Sequence, residues 1–136
     1  MYPIRSLALL VARVLLGGIF IAHGWQKLHT YGHAGVSASF TQMGVPLPGF
    51  SAYYATWVEF VGGILLILGA ALPLVSVLLI IDMIGAIFTA HIDAGFWATH
   101  GGWEFPLALI AGLVAVGFAQ AGGLAVDTHL FRRRRS

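Results

Sequence analysis

Cysteine is absent from this 136-residue sequence, and charged residues make up only 9% of it. Without cysteine the chain cannot form a disulfide, a thiolate nucleophile, an iron–sulfur cluster or a covalently attached haem. A soluble domain has about 25% charged residues, so the low charge excludes an ordinary water-covered surface. Hydrophobic residues make up 59% of the sequence. We therefore expect lipid to be the main solvent of this chain.

A basic surface for nucleic acid is also lacking. The formal net charge is +2, and four of the seven Lys and Arg residues are Arg132–Arg135. No basic face with interleaved aromatic residues is present, so nucleic-acid binding is not expected. Residues 123–136 are predicted to form a basic cytoplasmic tail.

Long apolar segments are what the sequence does contain. A membrane-spanning helix needs about 20 apolar residues. Four segments meet this requirement, at about 6–28, 53–72, 73–92 and 103–122. The first lacks a small-residue cleavage site and is interpreted as a retained helix rather than a signal peptide. The sequence predicts an all-α membrane protein, with one four-transmembrane-helix bundle as the single domain of residues 1–136.

The connections between these segments differ in length and composition. Residues 29–50 are rich in Gly, Pro, Ser and His, which indicates a loop with room for a short interfacial helix. Leu72-Pro73 predicts a tight hairpin between the second and third spans, because proline is tolerated in the first turn of a helix. Residues 93–102 indicate another loop. The pairs Gly17-Gly18 and Gly62-Gly63 predict close helix packing.

The distribution of Lys and Arg predicts the orientation. Arg5 precedes the first span and Arg132–Arg135 follow the fourth, whereas the two long loops contain no Lys or Arg. Basic residues mark the cytoplasmic side, so both termini are expected there, in a bacterial cytoplasmic (inner) membrane. Seven Trp and Tyr residues then lie near the outer edge, as in an aromatic belt: Trp25, Tyr31, Tyr53, Tyr54, Trp57, Trp97 and Trp103.

Polar residues inside the spans are the candidate site. At about 1.5 Å rise per residue, Arg13 and Asp82 lie roughly 10 and 13 Å from the inner edge, which predicts an Arg13–Asp82 contact. Glu59 lies roughly 9 Å below the outer edge and is expected to face His23 or Lys27. The predicted outer cluster comprises His23, Gln26, Lys27, Glu59, His91 and Glu104.

Most of these residues also have a structural explanation. Lys27 can snorkel to the headgroups, and an Arg13–Asp82 pair can be structural only. His91 and Glu104 suit the helix ends at which they lie, and Asp127 suits the start of a juxtamembrane turn or helix. Glu59 lies far from any helix end, so it is the strongest argument for a functional site.

Carboxylates and imidazoles beside a cation can bind a polar head group and transfer protons. A quinone head suits them, with its tail among the apolar spans. Glu59 and His23 are the predicted catalytic residues. The predicted ligand-binding residues are Arg13, Gln26, Lys27, Asp82, His91 and Glu104. A haem b between His23 and His91 is ranked below quinone. No metal site is predicted, because His29 and His33 fall in the Gly-rich loop.

Several motifs in order carry a family resemblance. They are "LLGGIFIAHGWQKL", "MGVPLPGF", "EFVGGILLILG", "AHIDAGFWATHGGWEFPL" and "AGGLAVDTHL". With them the chain resembles the DoxX/DoxD family of small four-span bacterial membrane proteins. DoxD-like members are similar to membrane subunits of thiosulfate:quinone oxidoreductase, and DoxX-like members are associated with thiol and oxidative-stress tolerance.

Three functions remain open at this point. The first is a membrane subunit of a redox system that binds quinone near the outer leaflet. A complete thiosulfate enzyme would then need a partner, since no second soluble domain is recognised. The second is a scaffold that recruits soluble redox enzymes through the basic tail, whose arginines also favour anionic lipid. The third is a small-solute carrier, for which four spans make a narrow bundle unless the chain forms a homo-oligomer.

Overall fold

The computed structural model describes residues 4–119 and 124–132, and all of the regular structure there is helical. The helices are α1 (Ile4–Trp25), α2 (Gly32–Gln42), α3 (Pro48–Leu68), α4 (Leu72–Ala86), α5 (Glu104–Phe118) and α6 (Val126–Arg132). Two π-helical segments follow α1 and α4, a first at Gln26–Tyr31 and a second at Ile87–His91. Short 3₁₀ turns lie at Ile92–Ala94 and Ala98–His100.

Three helical stretches are long and apolar enough to cross a membrane: Ile4–Gln42, Pro48–Leu68 and Leu72–Ala94. The predicted all-helical membrane protein is therefore confirmed. Helix α5 has 15 residues, about 22 Å of helix, which is less than the hydrocarbon core of a bilayer. The fourth span stays a prediction, and residues 120–122 at its end lie outside the described residues. So do residues 123 and 133–136 of the predicted basic tail.

The hairpin between α3 and α4 is as tight as Leu72-Pro73 predicts. Gly69 ends α3 with φ +73°, and its N–H donates to Leu66 O at 3.1 Å. The N–H of Ala70 donates to Leu65 O at 3.0 Å, which completes a glycine-dependent helix stop. Helix α4 then begins at Leu72 with Pro73 in its first turn. Only three residues separate the two helices, so they must pack side by side.

Close glycine contact joins α1 to α3. A Cβ at Gly63 would lie 2.6 Å from Gly17 O, and a Cβ at Gly24 would lie 2.6 Å from the backbone N of Phe60. The packing prediction for the glycine pairs is thus confirmed at Gly17 and Gly63. This contact fixes the position of α1 along the axis of α3. It therefore determines which side chains of the two helices meet further along.

Helix α2 occupies 11 residues of the segment 29–50, for which the sequence predicted a loop with room for a short helix, so more of this segment is helical than its composition indicates. The first π segment continues α1, and Gly32 then turns the chain with φ +69°. His33 stacks on Tyr53 at 3.6 Å between ring centroids, and His29 packs on Trp25 at 3.8 Å. These ring contacts and the packing on α3 stabilise a helical conformation in this segment, although its composition is typical of a loop.

The Arg13–Asp82 contact predicted from the sequence is wrong. The Arg13 side chain is buried, and its Nη2 donates to Leu124 O at 3.1 Å. The nearby Asp127 carboxylate accepts from the N–H groups of Ala71 and Leu72 at 2.7 and 2.8 Å. We call this group of contacts at the α3–α4 turn the Asp127 end of the bundle. Arg13 contacts this end because its long side chain extends toward the turn, away from Asp82.

A polar cavity as the candidate functional site

A cavity of about 570 Å³ lies at the opposite end of the bundle, which we call the Lys27 end. It is bounded by α1, α2, α3, α4 and α5, the two π segments and residues 43–47. Most of its wall is apolar. Its ionisable lining residues are His23, Lys27, Tyr54, Glu59, Asp82 and His91. Five of these six belong to the set predicted from the sequence, so the structure brings most of that set together.

An ion pair between Lys27 and Glu59 lies at the centre of this group. Lys27 Nζ is 2.9 Å from Glu59 Oε1, and the side chains are 22% and 4% exposed. Lys27 belongs to the first π segment, a helical form that is rare and often found at functional sites. Of the two partners expected for Glu59, Lys27 therefore makes the direct contact. Lys27 points into the protein rather than toward the headgroups.

Asp82 lies beside Glu59, with Lys27 also close by. Its Oδ2 is buried and has no hydrogen-bond partner among the described residues. Glu59 is ten residues before Gly69 and Asp82 is ten residues after Leu72, so the tight hairpin places them opposite each other. The depth estimate from the sequence missed this contact because it began α3 at 53 instead of 48.

Two histidines also belong to the ionisable lining. Lys27 and Glu59 are charged neighbours of His23, whose ring also packs near Phe105 at 6.2 Å between centroids. His91 ends the second π segment, and its Nδ1–H donates to Gly101 O at 2.7 Å. A carbonyl can only accept, so this contact fixes the His91 tautomer and leaves Nε2 available as an acceptor.

Three predicted ligand-binding residues lie away from the cavity. Gln26 is exposed, and its Nε2 contacts the Tyr31 hydroxyl at 3.5 Å. Glu104 is in the first turn of α5, where its carboxylate accepts from Ala98 N at 3.1 Å and orders the preceding loop. Arg13 belongs to the Asp127 end. Sequence spacing put these residues at the correct level of each helix but could not tell which way each side chain points.

Tyr54 is a cavity residue that the sequence placed only in the aromatic belt. Its hydroxyl donates to Leu78 O at 2.8 Å and lies near Asp82. This bond joins α3 to α4 one turn before Asp82. The sequence feature that could have predicted this contact is again the hairpin, because it brings residues 54–59 of α3 alongside the part of α4 that contains Asp82.

The charge count of this group limits its chemistry. Two carboxyl groups, Glu59 and Asp82, share one ammonium group, that of Lys27. Like charges repel strongly in a low-dielectric site, and a proton on one carboxyl would both balance the charge and join the pair by a hydrogen bond. Within residues 4–119 and 124–132, no group of three or more His, Cys, Asp or Glu residues could hold a metal ion. The arrangement is suited to binding a polar group and exchanging a proton with it.

Comparison with known proteins agrees with this membrane architecture. The DoxX family profile matches residues 8–92, which is more than half of the chain. The chain belongs to the DoxX family. The match extends from α1 to the second π segment, and thus includes His23, Lys27, Glu59, Asp82 and His91. The family resemblance expected from the sequence motifs is confirmed.

Two relatives cover most of the chain. A Bacillus subtilis (strain 168) protein named "Putative oxidoreductase CatD" is 33% identical over 127 residues, which are 93% of this chain and 90% of the relative. A Mycobacterium tuberculosis (strain ATCC 25618 / H37Rv) protein named "Uncharacterized membrane protein Rv3486" is 30% identical over 131 residues, 89% of this chain and 80% of the relative. No solved structure gives a significant match.

Proposed function

We propose that this DoxX-family chain is a membrane subunit of a redox system and binds a quinone head group in the cavity at the Lys27 end. The observation that carries this proposal is the Lys27–Glu59–Asp82 group, which lies in a mostly apolar cavity within the bundle. The oxidoreductase name of the Bacillus subtilis relative supports redox chemistry as the class of function.

The cavity suits such a ligand in size and in chemistry. Sites for small molecules have volumes of about 300–1,000 Å³, apolar walls and a few converging polar groups. The volume of about 570 Å³ lies in this range. A quinone ring is flat and apolar and carries two carbonyl acceptors, for which Lys27 and His23 are the candidate donors.

The proposed roles follow from the contacts of each residue. When bound, a quinone accepts two electrons and two protons, which two thiol groups release when they are oxidised to one disulfide. Lys27 would orient the ligand by donating to a carbonyl oxygen while it remains paired with Glu59. Asp82, whose Oδ2 has no partner among the described residues, would exchange a proton with the ligand. Glu59 beside it would hold the next proton.

The electron donor and the orientation in the membrane also belong to this proposal. We propose thiosulfate or a thiol as the donor, reached through a soluble partner protein. The basic residues of the sequence favour a cytoplasmic position for the Asp127 end in the bacterial inner membrane. The cavity would then lie in the outer half of the bilayer.

The experiment is to purify the full chain with its lipids and measure the quinone that it retains. Reduction of a short-chain quinone is then followed by absorbance with thiosulfate or a thiol as the donor, with and without a membrane-free cell extract. We expect bound quinone and donor-dependent reduction. A preparation that neither retains quinone nor reduces it would contradict the proposal. A haem absorption band would favour the His23–His91 alternative instead.

A further inference from the structure

The rim of the cavity is apolar, whereas its ionisable groups lie in the interior. Seven of the residues that line the cavity are exposed, and all seven are apolar. On one side are Pro46, Leu47 and Phe50, on the other are Ile81, Gly85 and Ala90, and Phe105 of α5 completes the set. The ionisable lining residues are all buried or half-buried. A ligand must therefore pass an apolar rim before it meets a charge.

This polarity indicates which phase the opening faces. Exposed side chains include Leu47 at 73%, Phe50 at 68% and Ile81 at 54%. In a membrane-spanning bundle, large exposed apolar side chains face lipid chains, because water at that surface would leave them hydrated at a cost. Lys27 and Glu59 lie behind this rim and pair with each other.

Leu47 is held at the rim in an uncommon backbone conformation. Its φ is +47°, in the left-handed region that a non-glycine residue seldom adopts. It lies between Pro46 and Pro48. The Ser51 hydroxyl donates to Pro46 O at 2.6 Å, and the Ser51 N–H donates to Leu47 O at 2.8 Å. A strained backbone conformation persists only where the surrounding structure holds the residue in place. Leu47 is therefore a rigid apolar residue on one side of the rim.

Gly85 forms the gap on the opposite side. A Cβ at Gly85 would meet no atom of the described residues within 4 Å, although Gly85 lines the cavity. Its backbone is helical, so no turn requires a glycine there. A glycine inside a helix costs about 0.5–1 kcal/mol relative to alanine, and at this position it leaves open space at the rim.

We propose that a lipid-soluble molecule enters the cavity laterally from the bilayer, through the opening between Leu47–Phe50 and Ile81–Gly85. Its apolar tail extends from the cavity into the lipid past Gly85. The ligand class is thus an amphiphile with a compact polar head and a long tail, rather than a water-soluble solute. This inference rests on the proposed function for the identity of the head. The access route follows from the rim itself.

The test is the variant Gly85→Leu in the full chain, with Gly18→Leu as the matched control. Gly18 is also exposed, helical and without neighbours within 4 Å among the described residues, but it does not line the cavity. Each variant is reconstituted in lipid nanodiscs that contain a long-tailed prenyl naphthoquinone. After re-extraction, the retained quinone is measured by mass spectrometry. Binding of the tail-free naphthoquinone is measured by equilibrium dialysis.

We expect Gly85→Leu to lower retention of the long-tailed quinone by about tenfold or more, equivalent to roughly 1.4 kcal/mol. Binding of the tail-free quinone should change by less than about threefold, and Gly18→Leu should change neither. Unchanged long-tail retention in Gly85→Leu, while the wild type binds both quinones, would overturn the route and leave the proposed function intact. Failure of the wild type to bind either quinone would overturn both.

A second pair of variants guards against misfolding of the first. Ile81→Trp narrows the same opening from an exposed position, and Ile84→Trp adds the same bulk one turn on, outside the cavity lining. Ile81→Trp should reproduce the selective loss of the long-tailed quinone, and Ile84→Trp should behave like the wild type. Equal retention in the two tryptophan variants would contradict the proposed opening.

Discussion

At the scale of single residues, charge balance around Lys27 governs the cavity. Lys27 is the one Lys or Arg among the described residues that line it, and two carboxyl groups lie next to it. Glu59 is 3% exposed as a residue and depends on Lys27 for its salt bridge. Removing the shared cation should therefore be far more harmful than removing one of the two carboxyl groups.

Lys27→Met should lower the free energy of unfolding by about 3–5 kcal/mol, because it leaves buried carboxyl groups without a counterion. Glu59→Gln leaves Lys27 beside Asp82 and should cost only about 1–2 kcal/mol. Both values can be measured by denaturant titration in detergent micelles. The control is Gln26→Met in the same π segment, which is exposed and should change stability by less than about 0.5 kcal/mol. Equal losses for Lys27→Met and Glu59→Gln would contradict the shared-cation arrangement.

Asp82→Asn tests proton exchange separately from folding. The amide cannot carry an exchangeable acid proton, while the Lys27–Glu59 pair remains intact. Donor-dependent quinone reduction should fall by about 10²-fold or more, and quinone retention should stay within a few fold of the wild type. Asp93→Asn is the matched control, since Asp93 is exposed at the same end and does not line the cavity. Undiminished reduction in Asp82→Asn would remove Asp82 from the proposed mechanism.

At the scale of helices, the α1–α3 contact determines whether Lys27 reaches Glu59. The two helices approach so closely at Gly17 and Gly63 that a Cβ on either would meet the backbone of the other. Ten residues separate Gly17 from Lys27, so a small shift at the contact would displace Lys27. The spacing of these two helices is therefore a property of the site as well as of the fold.

Gly17→Ala should lower the free energy of unfolding by about 1–3 kcal/mol, because the added methyl must separate α1 from α3. Gly18→Ala, one residue further along, has open space among the described residues and should be neutral or stabilising by up to about 1 kcal/mol. Unfolding curves in detergent compare the two. A stable Gly17→Ala protein would show that the helices separate at little cost.

The sequence predicted features that depend on local chemistry and missed those that depend on packing. Leu72-Pro73 predicted the hairpin because proline and the apolar runs act locally. For helix α2 the sequence predicted no more than a short helix within a loop, because its Gly, Ser and His composition is typical of a loop and its contacts with α3 are long-range. Arg13 was paired with Asp82 because depth along a helix was estimated without side-chain direction. The burial of Glu59 was correctly predicted, because no helix end explained a carboxylate at that position.

At the scale of the whole molecule, one polar group lies at the turn of the α3–α4 hairpin and the other lies about halfway along α3. Gly69 at the Asp127 end and Glu59 at the Lys27 end are ten residues apart on one helix path, about 15 Å. At the Asp127 end, one carboxylate accepts from Ala71 N and Leu72 N, and Asp127 N donates to Gly69 O at 3.0 Å. The Asp127 end has a structural role, because its polar groups bind backbone atoms and do not line a cavity.

Asp127→Ala should lower the free energy of unfolding by about 2 kcal/mol, because two N–H groups at the start of α4 lose their acceptor. Quinone retention should not change. Leu130→Ala on the same short helix is the control, because Leu130 is 62% exposed. Loss of quinone retention in Asp127→Ala at full helical content would contradict the separation of the two ends.

The double variant Asp82→Asn/Asp127→Ala tests whether the bundle transmits a change from one end to the other. The two carboxyl groups share no hydrogen-bond partner among the described residues. Effects of residues more than about 10 Å apart without shared partners add to within roughly 0.5 kcal/mol. The stability loss of the double variant should therefore equal the sum of the single losses, and its reduction rate should equal that of Asp82→Asn alone. A larger combined loss of stability or of reduction rate would mean that the hairpin couples the Asp127 end to the cavity.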